Sequence, residues 1–336
     1  MSTQPQQAPT AATVTARDVH EAATRLAGIA VRTPVLRAAP LDEHTGGQVL
    51  LKCENMQRTG SFKFRGACNA VARLSAEQLE RGVIAFSSGN HALAVASAAA
   101  EAGSTAMLVM PADAPPAKFA AVRGLGAEVV TFDRYTEDRF ALTARLATEH
   151  GLTPIPPYDH HDVIAGAGTS TAEFLDQAGQ LDVLVIPLGG GGQLAGAGVV
   201  TAAADQGTRL IGVETAVGDK NRRSLRAGER VRIPVPRTIA DGVTGEIPGE
   251  LTFPLIRRHV HEVLVVHDDE IRAAMALLFG EMKLVVEPSG ALAAAAVLAG
   301  RVHAPGGRVG VVLSGGNVDL PRLHGLLHPE PDVVSS

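Results

Sequence analysis

Lys63 sits between two phenylalanines within Leu51–Ala70, LKCENMQRTGSFKFRGACNA. A strand-like run at Gln48–Cys53 precedes it, a polar Gly/Ser/Thr turn follows, and the spacing predicts a helix starting near Arg65. An ammonium held between two aromatic side chains at the mouth of a helix loses water. Desolvation penalises the charged form, so the pKa falls and the amine becomes a nucleophile. Such a lysine points to Schiff-base chemistry with an aldehyde cofactor or a carbonyl substrate. The competing use of the same residue is an apolar stem with its head in water.

Three further stretches bear on that choice. The tetraglycine Gly189–Gly192 lies between a buried strand and a helix. Free backbone N–H groups and the helix dipole favour an anion there, and glycine lets the backbone approach it closely. No Lys-Ser/Thr follows, which argues against a nucleoside triphosphate. The spacing also misses the dinucleotide fingerprint, although Gly196 and Gly198 come near it, so a phosphate monoester fits best; a purely structural packing turn is the alternative. Phe86-Ser87-Ser88-Gly89-Asn90-His91 again follows a strand and opens a helix. Its hydroxyls, amides and carboxamide suit a carboxylate and a phenolic oxygen, or simply cap the helix. Ser314-Gly315-Gly316-Asn317 follows the last strand, where a serine hydroxyl could meet a ring nitrogen. An amine nucleophile, a monophosphate cradle, a carboxylate-sized pocket and a ring-nitrogen partner together describe pyridoxal phosphate and an amino acid.

SFKFRGA around Lys63, SSGNHA at 87–92, GGGG at 189–192, VEPSGA at 286–291 and SGGNVDL at 314–320 resemble the serine/threonine dehydratase and serine racemase family. The likeness runs from about Thr15 to Leu320. It implies an α/β architecture, the type II pyridoxal-phosphate fold, with two doubly wound, mostly parallel sheets and the cofactor between them. It also implies a homodimer. In that family's pattern Lys63 forms the Schiff base and removes the α-proton, and Gly189, Gly190, Gly191 and Gly192 hold the phosphate. Asn90 bonds the ring hydroxyl, Ser314 meets the pyridine nitrogen, and Phe62, Glu287 and Gly315 complete the cofactor shell. Ser87, Ser88, Gly89, Asn90 and His91 bind the substrate carboxylate. A hydroxyl at the ring nitrogen makes a weaker electron sink than a carboxylate, which favours prompt loss of a β-hydroxyl.

The implied activity is an ammonia-lyase acting on L-threonine or L-serine, giving a 2-oxo acid and ammonia; serine racemase and 3-hydroxyaspartate dehydratase are the alternatives. Ser88 permits racemisation as a second catalytic residue, because it offers a proton on the face opposite the lysine. Tyr158 matches an aromatic residue on the substrate side. Arg139 matches an arginine near the racemase substrate and could pair with the distal carboxylate of 3-hydroxyaspartate, although a solvated arginine on a helix is the commoner role. The family's divalent-cation site would fall on Glu214 and Gly218, but Lys220 stands at its aspartate. Charge repulsion then predicts a lost or altered site, with the Lys220 ammonium replacing the ion, unless Asp219 rescues it by a one-residue shift. Insensitivity to chelators and to magnesium accords with loss; strong magnesium activation refutes it.

The rest of the chain must position these groups. Its 336 residues suit one large or two ordinary domains. Charged residues are 19% and aromatics 3%, with abundant Gly and Ala, which fits helices packed on parallel strands. A net charge of −5 without a basic block excludes a nucleic-acid partner. No apolar run reaches bilayer length; Ala291–Ala299 reads as a buried helix. Cys53 and Cys68 lack CxxC spacing and read as reduced thiols in a cytoplasmic protein. Residues 1–14 and 328–336 read as tails, and no added regulatory domain is expected after Leu327. Strands and helices alternate through 82–157, predicting a small inserted domain; 15–81 and 158–327 form the large, cofactor-binding one. Two other classes stay open. A nucleotide-dependent oxidoreductase lacks the acidic ribose ligand, and a non-catalytic amino-acid sensor leaves the lysine unexplained.

Overall fold

The structure, a computed structural model, describes residues 13–87 and 89–328. The strands in chain order are β1 (Val35–Arg37), β2 (Gln48–Cys53), β3 (Val83–Phe86), β4 (Ala106–Pro111), β5 (Glu128–Phe132), β6 (Thr153–Pro154), β7 (Val183–Pro187), β8 (Arg209–Thr215), β9 (Glu262–Val266) and β10 (Arg308–Leu313). They form two sheets: one of order β1-β2-β10-β7-β8-β9 and one of order β5-β4-β3-β6. All pairings are parallel except β1 with β2. Apolar runs such as Val83–Phe86 and Val183–Pro187 are buried along their whole length, as parallel strands covered on both faces must be.

Helix Pro288–Leu298, rich in alanine, is buried along almost its entire length in the core of the six-stranded sheet. Helix Lys63–Val71 crosses helix His161–Ala178 where glycine faces backbone. A Cβ on Gly66 would lie 2.8 Å from the Val163 oxygen, and one on Gly166 2.5 Å from the Arg65 oxygen. That contact sets how deeply the helix carrying Lys63 is seated.

A buried charge cluster holds the same helix from below. Arg65 donates to Glu54 twice, at 2.8 Å from Nε and from Nη2, and to Glu173 at 2.9 Å. Lys52 donates to Glu173 at 2.5 Å, Gln177 at 2.6 Å and the Thr33 oxygen at 2.9 Å. Two cations and two carboxylates balance, which is what burial of charge requires.

Several boundaries differ from the sequence expectation. The helix near Arg65 begins at Lys63 itself. Thr33-Pro34 leads into an edge strand rather than a bare connection. Helix Arg139–His150 starts where it does because Asp138 accepts from the Phe140 and Ala141 amides and caps it there. His267 is the N-cap of helix Asp268–Gly280, with Glu270 closing back on the His267 amide at 2.7 Å. Helix His161–Ala178 shows no clear apolar stripe in sequence because it is buried on most sides. Residues 1–12 and 329–336 of the expected tails lie outside the described residues, whereas Val14 is buried and packs in the core. Among the described residues no helix is long and apolar enough to cross a membrane.

Candidate active site between the two sheets

In the large sheet β10 lies between β2 and β7, so the carboxyl ends of three strands that are distant in sequence converge. The strands end in Cys53, Leu313 and Pro187, just ahead of the turn to Lys63, of Ser314 and of Gly189. Strand β3 of the small sheet delivers Ser87, Gly89 and Asn90 opposite. Ligands on such sheets sit at these ends. A cleft with a cavity volume of about 120 Å³ is lined by Phe62, Lys63, Asn90, Gly189, Glu287 and Ser314, and also by Ser87, His91, Arg139 and Tyr158. Ser88 lies outside the described residues.

The Lys63 amine donates to the Pro157 oxygen at 2.6 Å. Burial lowers its pKa to about 8. The expected two-sided sandwich is corrected, since only Phe62 faces the amine, with its ring centroid 5.0 Å away. Phe64 is fully buried and stacks under the Arg58 guanidinium at 4.5 Å. The walls of the cleft, rather than two phenyl rings, strip water from the lysine.

The glycine loop opens helix Gly192–Ala204, whose N-cap Gly191 has φ +96° and no side-chain cap. Asn221 Nδ2 donates to the Gly189 oxygen at 2.9 Å, and Thr252 Oγ1 to the Gly190 oxygen at 2.9 Å. In a planar trans peptide the N–H points opposite the C=O, so tying these carbonyls away aims the next two amides the other way. Gly190 is required for packing as well, because a Cβ there would lie 2.1 Å from the Tyr158 ring. Thr252 is in turn set by Asp159, which accepts from the Glu250, Leu251 and Thr252 amides at 2.7, 2.8 and 3.2 Å.

Asn90 is fixed from two sides. It donates to Glu287, and Asn317 donates to its Oδ1 at 2.9 Å. Burial, and then the nearby Asp241, raise the Glu287 pKa to about 7, with Lys118 and Asn90 opposing. His91 Nε2 lies 2.7 Å from the Ile155 oxygen, which can only accept, so Nε2 carries the proton and Nδ1 is a bare, unpartnered acceptor. Burial and the Lys63 charge lower its pKa to about 3. The imidazole is therefore neutral, with its one N–H held by Ile155, and leaves the backbone N–H of His91 as its donor toward the cleft.

The structure adds residues that no motif marked. Lys118 pairs with Asp241 at 2.6 Å across the two halves, and Gly242–Gly245 line the same cleft, as does Ser289 of the VEPSGA stretch already marked. Lys118 and Asp241 stand far apart in ordinary sequence contexts, and no spacing signals their pairing. Arg139 is corrected from a solvated helix residue. It is only 20% exposed, its guanidinium stands over Phe86 at 5.5 Å and Phe140 at 5.1 Å, and its Nε is buried without an acceptor.

At the proposed cation site Lys220 Nζ lies 3.4 Å from Glu214 Oε1, both side chains being fully buried. Glu214 also accepts from the Asn221 and Arg222 amides at 3.1 and 2.9 Å. Burial pushes Glu214 up and Lys220 down against their mutual attraction. Asp219 turns to Arg223 at 2.6 Å, and Gly218 donates to the Thr215 oxygen at 3.0 Å. Among the described residues no cluster of three or more His, Cys, Asp or Glu could hold a metal ion. Lys220→Met leaves Glu214 buried without its counter-charge and is expected to cost about 3 kcal/mol in denaturant unfolding. The double variant with Glu214→Gln is expected to recover most of that loss.

Pyridoxal phosphate needs an amine for its aldehyde, an anion seat for its phosphate and a partner for its ring nitrogen. Lys63, the uncapped glycine loop and Ser314 meet those needs around one cleft. Comparison with known proteins agrees. The family model described as pyridoxal-phosphate dependent enzyme matches residues 11–315. The chain is similar to L-threo-3-hydroxyaspartate ammonia-lyase of Saccharomyces cerevisiae, 47% identical over 94% of this chain and 97% of that protein. It is likewise similar to the L-threo-3-hydroxyaspartate ammonia-lyase of a Pseudomonas species, 49% identical over 92% and 97%. Among solved structures it resembles serine racemase from Dictyostelium discoideum, 39% identical, with a TM-score of 0.84 over 92% of this chain and all of that one.

Proposed function

The chain belongs to the pyridoxal-phosphate-dependent enzyme family, and on that premise we propose that it is an ammonia-lyase for L-threo-3-hydroxyaspartate, yielding oxaloacetate and ammonia. The sequence expectation placed threonine or serine first. Arg139 is the observation that moves a dicarboxylic substrate ahead of them. A desolvated guanidinium stacked on aromatic rings at the cleft, with one N–H unused, is built to take a carboxylate in two parallel hydrogen bonds. Neither serine nor threonine carries a second carboxylate. The two relatives named for this substrate support the reading.

Bound in the cleft, the cofactor withdraws electrons from the amino acid's α-carbon. Lys63 holds the aldehyde and, with its lowered pKa, accepts the α-proton near neutral pH. The loop Gly189–Gly192 seats the phosphate, Ser314 meets the ring nitrogen, and Asn90 with Glu287 faces the ring hydroxyl. The backbone N–H groups of Gly89, Asn90 and His91, at the start of their helix, bind the α-carboxylate. Tyr158 packs over the glycine loop and closes that side of the cleft. A homodimer, implied by the family resemblance, and a cytoplasmic location, read from the two reduced cysteines, belong to this proposal.

The test is a screen of the holoenzyme against L-threo-3-hydroxyaspartate, L-serine and L-threonine and their enantiomers. It scores 2-oxo acid, ammonia and the enantiomer formed. A kcat/KM for hydroxyaspartate roughly 100-fold above that for serine is expected from two charge-assisted hydrogen bonds. A preference for serine or threonine, or racemisation without ammonia release, would sink the reading.

A further inference from the structure

Arg139 lines the cleft and also an outer cavity on the solvent side, where it stands with Arg134, Arg232, Arg237 and Glu246. Glu246 follows directly on the stretch 241–245 that forms one wall of the inner cleft. Its carboxylate lies 3.8 Å from Arg139 Nη2, beyond hydrogen-bond reach, and 3.4 Å from Arg232 Nη1. Its backbone oxygen accepts from Ile233 at 2.9 Å, so the main chain is fixed independently of the side chain. Arg139 belongs to the small-sheet half and Glu246 to the large-sheet half. The arginine is thus held loosely, by one distant carboxylate, with its Nε unused.

We propose that Glu246 tunes the affinity of this subsite and tempers the cleft's preference for a distal carboxylate. It occupies Arg139 electrostatically until a substrate's distal carboxylate takes the guanidinium over, so a ligand without that carboxylate gains nothing from the arginine. This rests on the reading of Arg139 given above and adds a residue that works against binding rather than for it. A partly exposed pair at this distance is weak, whereas a bidentate carboxylate on a guanidinium packed against aromatic rings is strong, so the exchange runs toward the ligand. Glu246 sets the threshold.

The experiment compares L-aspartate with L-alanine, two amino acids that differ only by the distal carboxylate and carry no β-hydroxyl. Each is titrated into the holoenzyme and followed by the change in the cofactor's absorption band. In Glu246→Gln the ratio of aspartate to alanine affinity is expected to rise about threefold, the size of a weak exposed pair. Glu246→Asp, which keeps the charge but retracts it, should fall between that variant and the parent. A drop in the ratio means that Glu246 braces Arg139 for the ligand, and this overturns the proposal. An equal shift for both ligands overturns it too, as a general effect on the cleft. Arg139→Gln separates the two readings. If it leaves the ratio unchanged, the assignment of Arg139 fails; if it lowers the ratio while Glu246→Gln does not raise it, only the role of Glu246 fails.

Discussion

Lys63→Ala is expected to lower turnover by about ten-thousand-fold, since one side chain serves as both the covalent anchor and the base. The same variant, incubated with pyridoxal phosphate, treated with borohydride and digested, should carry no pyridoxyl group on the peptide spanning position 63, where the parent carries one. The pH dependence of cofactor capture by the cofactor-free protein follows from the lowered pKa. The attacking species is the neutral amine, and with a pKa of about 8 its fraction rises through pH 7–9 instead of above pH 10. Capture rates measured by stopped-flow absorbance should therefore reach half their plateau near pH 8. A midpoint near that of an ordinary lysine would mean that the amine is hydrated in the cofactor-free protein.

Arg139→Gln is the second large effect. Glutamine keeps a hydrogen-bonding end but loses the charge and the planar fork. The kcat/KM for L-threo-3-hydroxyaspartate is expected to fall roughly 100-fold, while that for L-serine changes less than about threefold. The split between substrates distinguishes recognition of the distal carboxylate from damage to the fold, which would lower both together. Arg139→Lys is not expected to restore the parent value, because an ammonium cannot bind a carboxylate in two parallel hydrogen bonds.

Much of this site could be read from the chain, for identifiable physical reasons. A lysine among phenylalanines and four consecutive glycines between a strand and a helix are local anomalies, each with a price in stability, and the chemistry that justifies them is local too. The strand ahead of the lysine, Gln48–Cys53, is a short apolar run with clear ends, and the structure reproduces those limits. What the chain did not disclose is whatever depends on two distant segments meeting. Lys118 with Asp241, Arg139 with Phe86 and Glu246, and Asp159 with the 250–252 amides are each ordinary residues until the fold brings their partners. The misjudgement of Arg139 has that origin. Helix position alone predicts a solvated arginine, and only the approach of the loop carrying Glu246 encloses it. The tautomer of His91 was equally hidden, because the distant carbonyl of Ile155 dictates it.

The quartet Lys52, Glu54, Arg65 and Glu173 has an outcome for how the protein fails in acid. Burial pushes the Glu173 carboxyl up, but hydrogen bonds from Arg65 and Lys52 and their charges carry it below the usual glutamate range. A carboxyl depressed in this way lends stability above its ordinary titration range and withdraws it as pH falls through the lowered value. Acidification should then loosen first the base on which the catalytic helix rests, leaving much of the sheet scaffold standing. The yellow colour of the enzyme would fade at a higher pH than the one at which its far-ultraviolet circular dichroism collapses, and coincident transitions would show that the quartet is not the weak point.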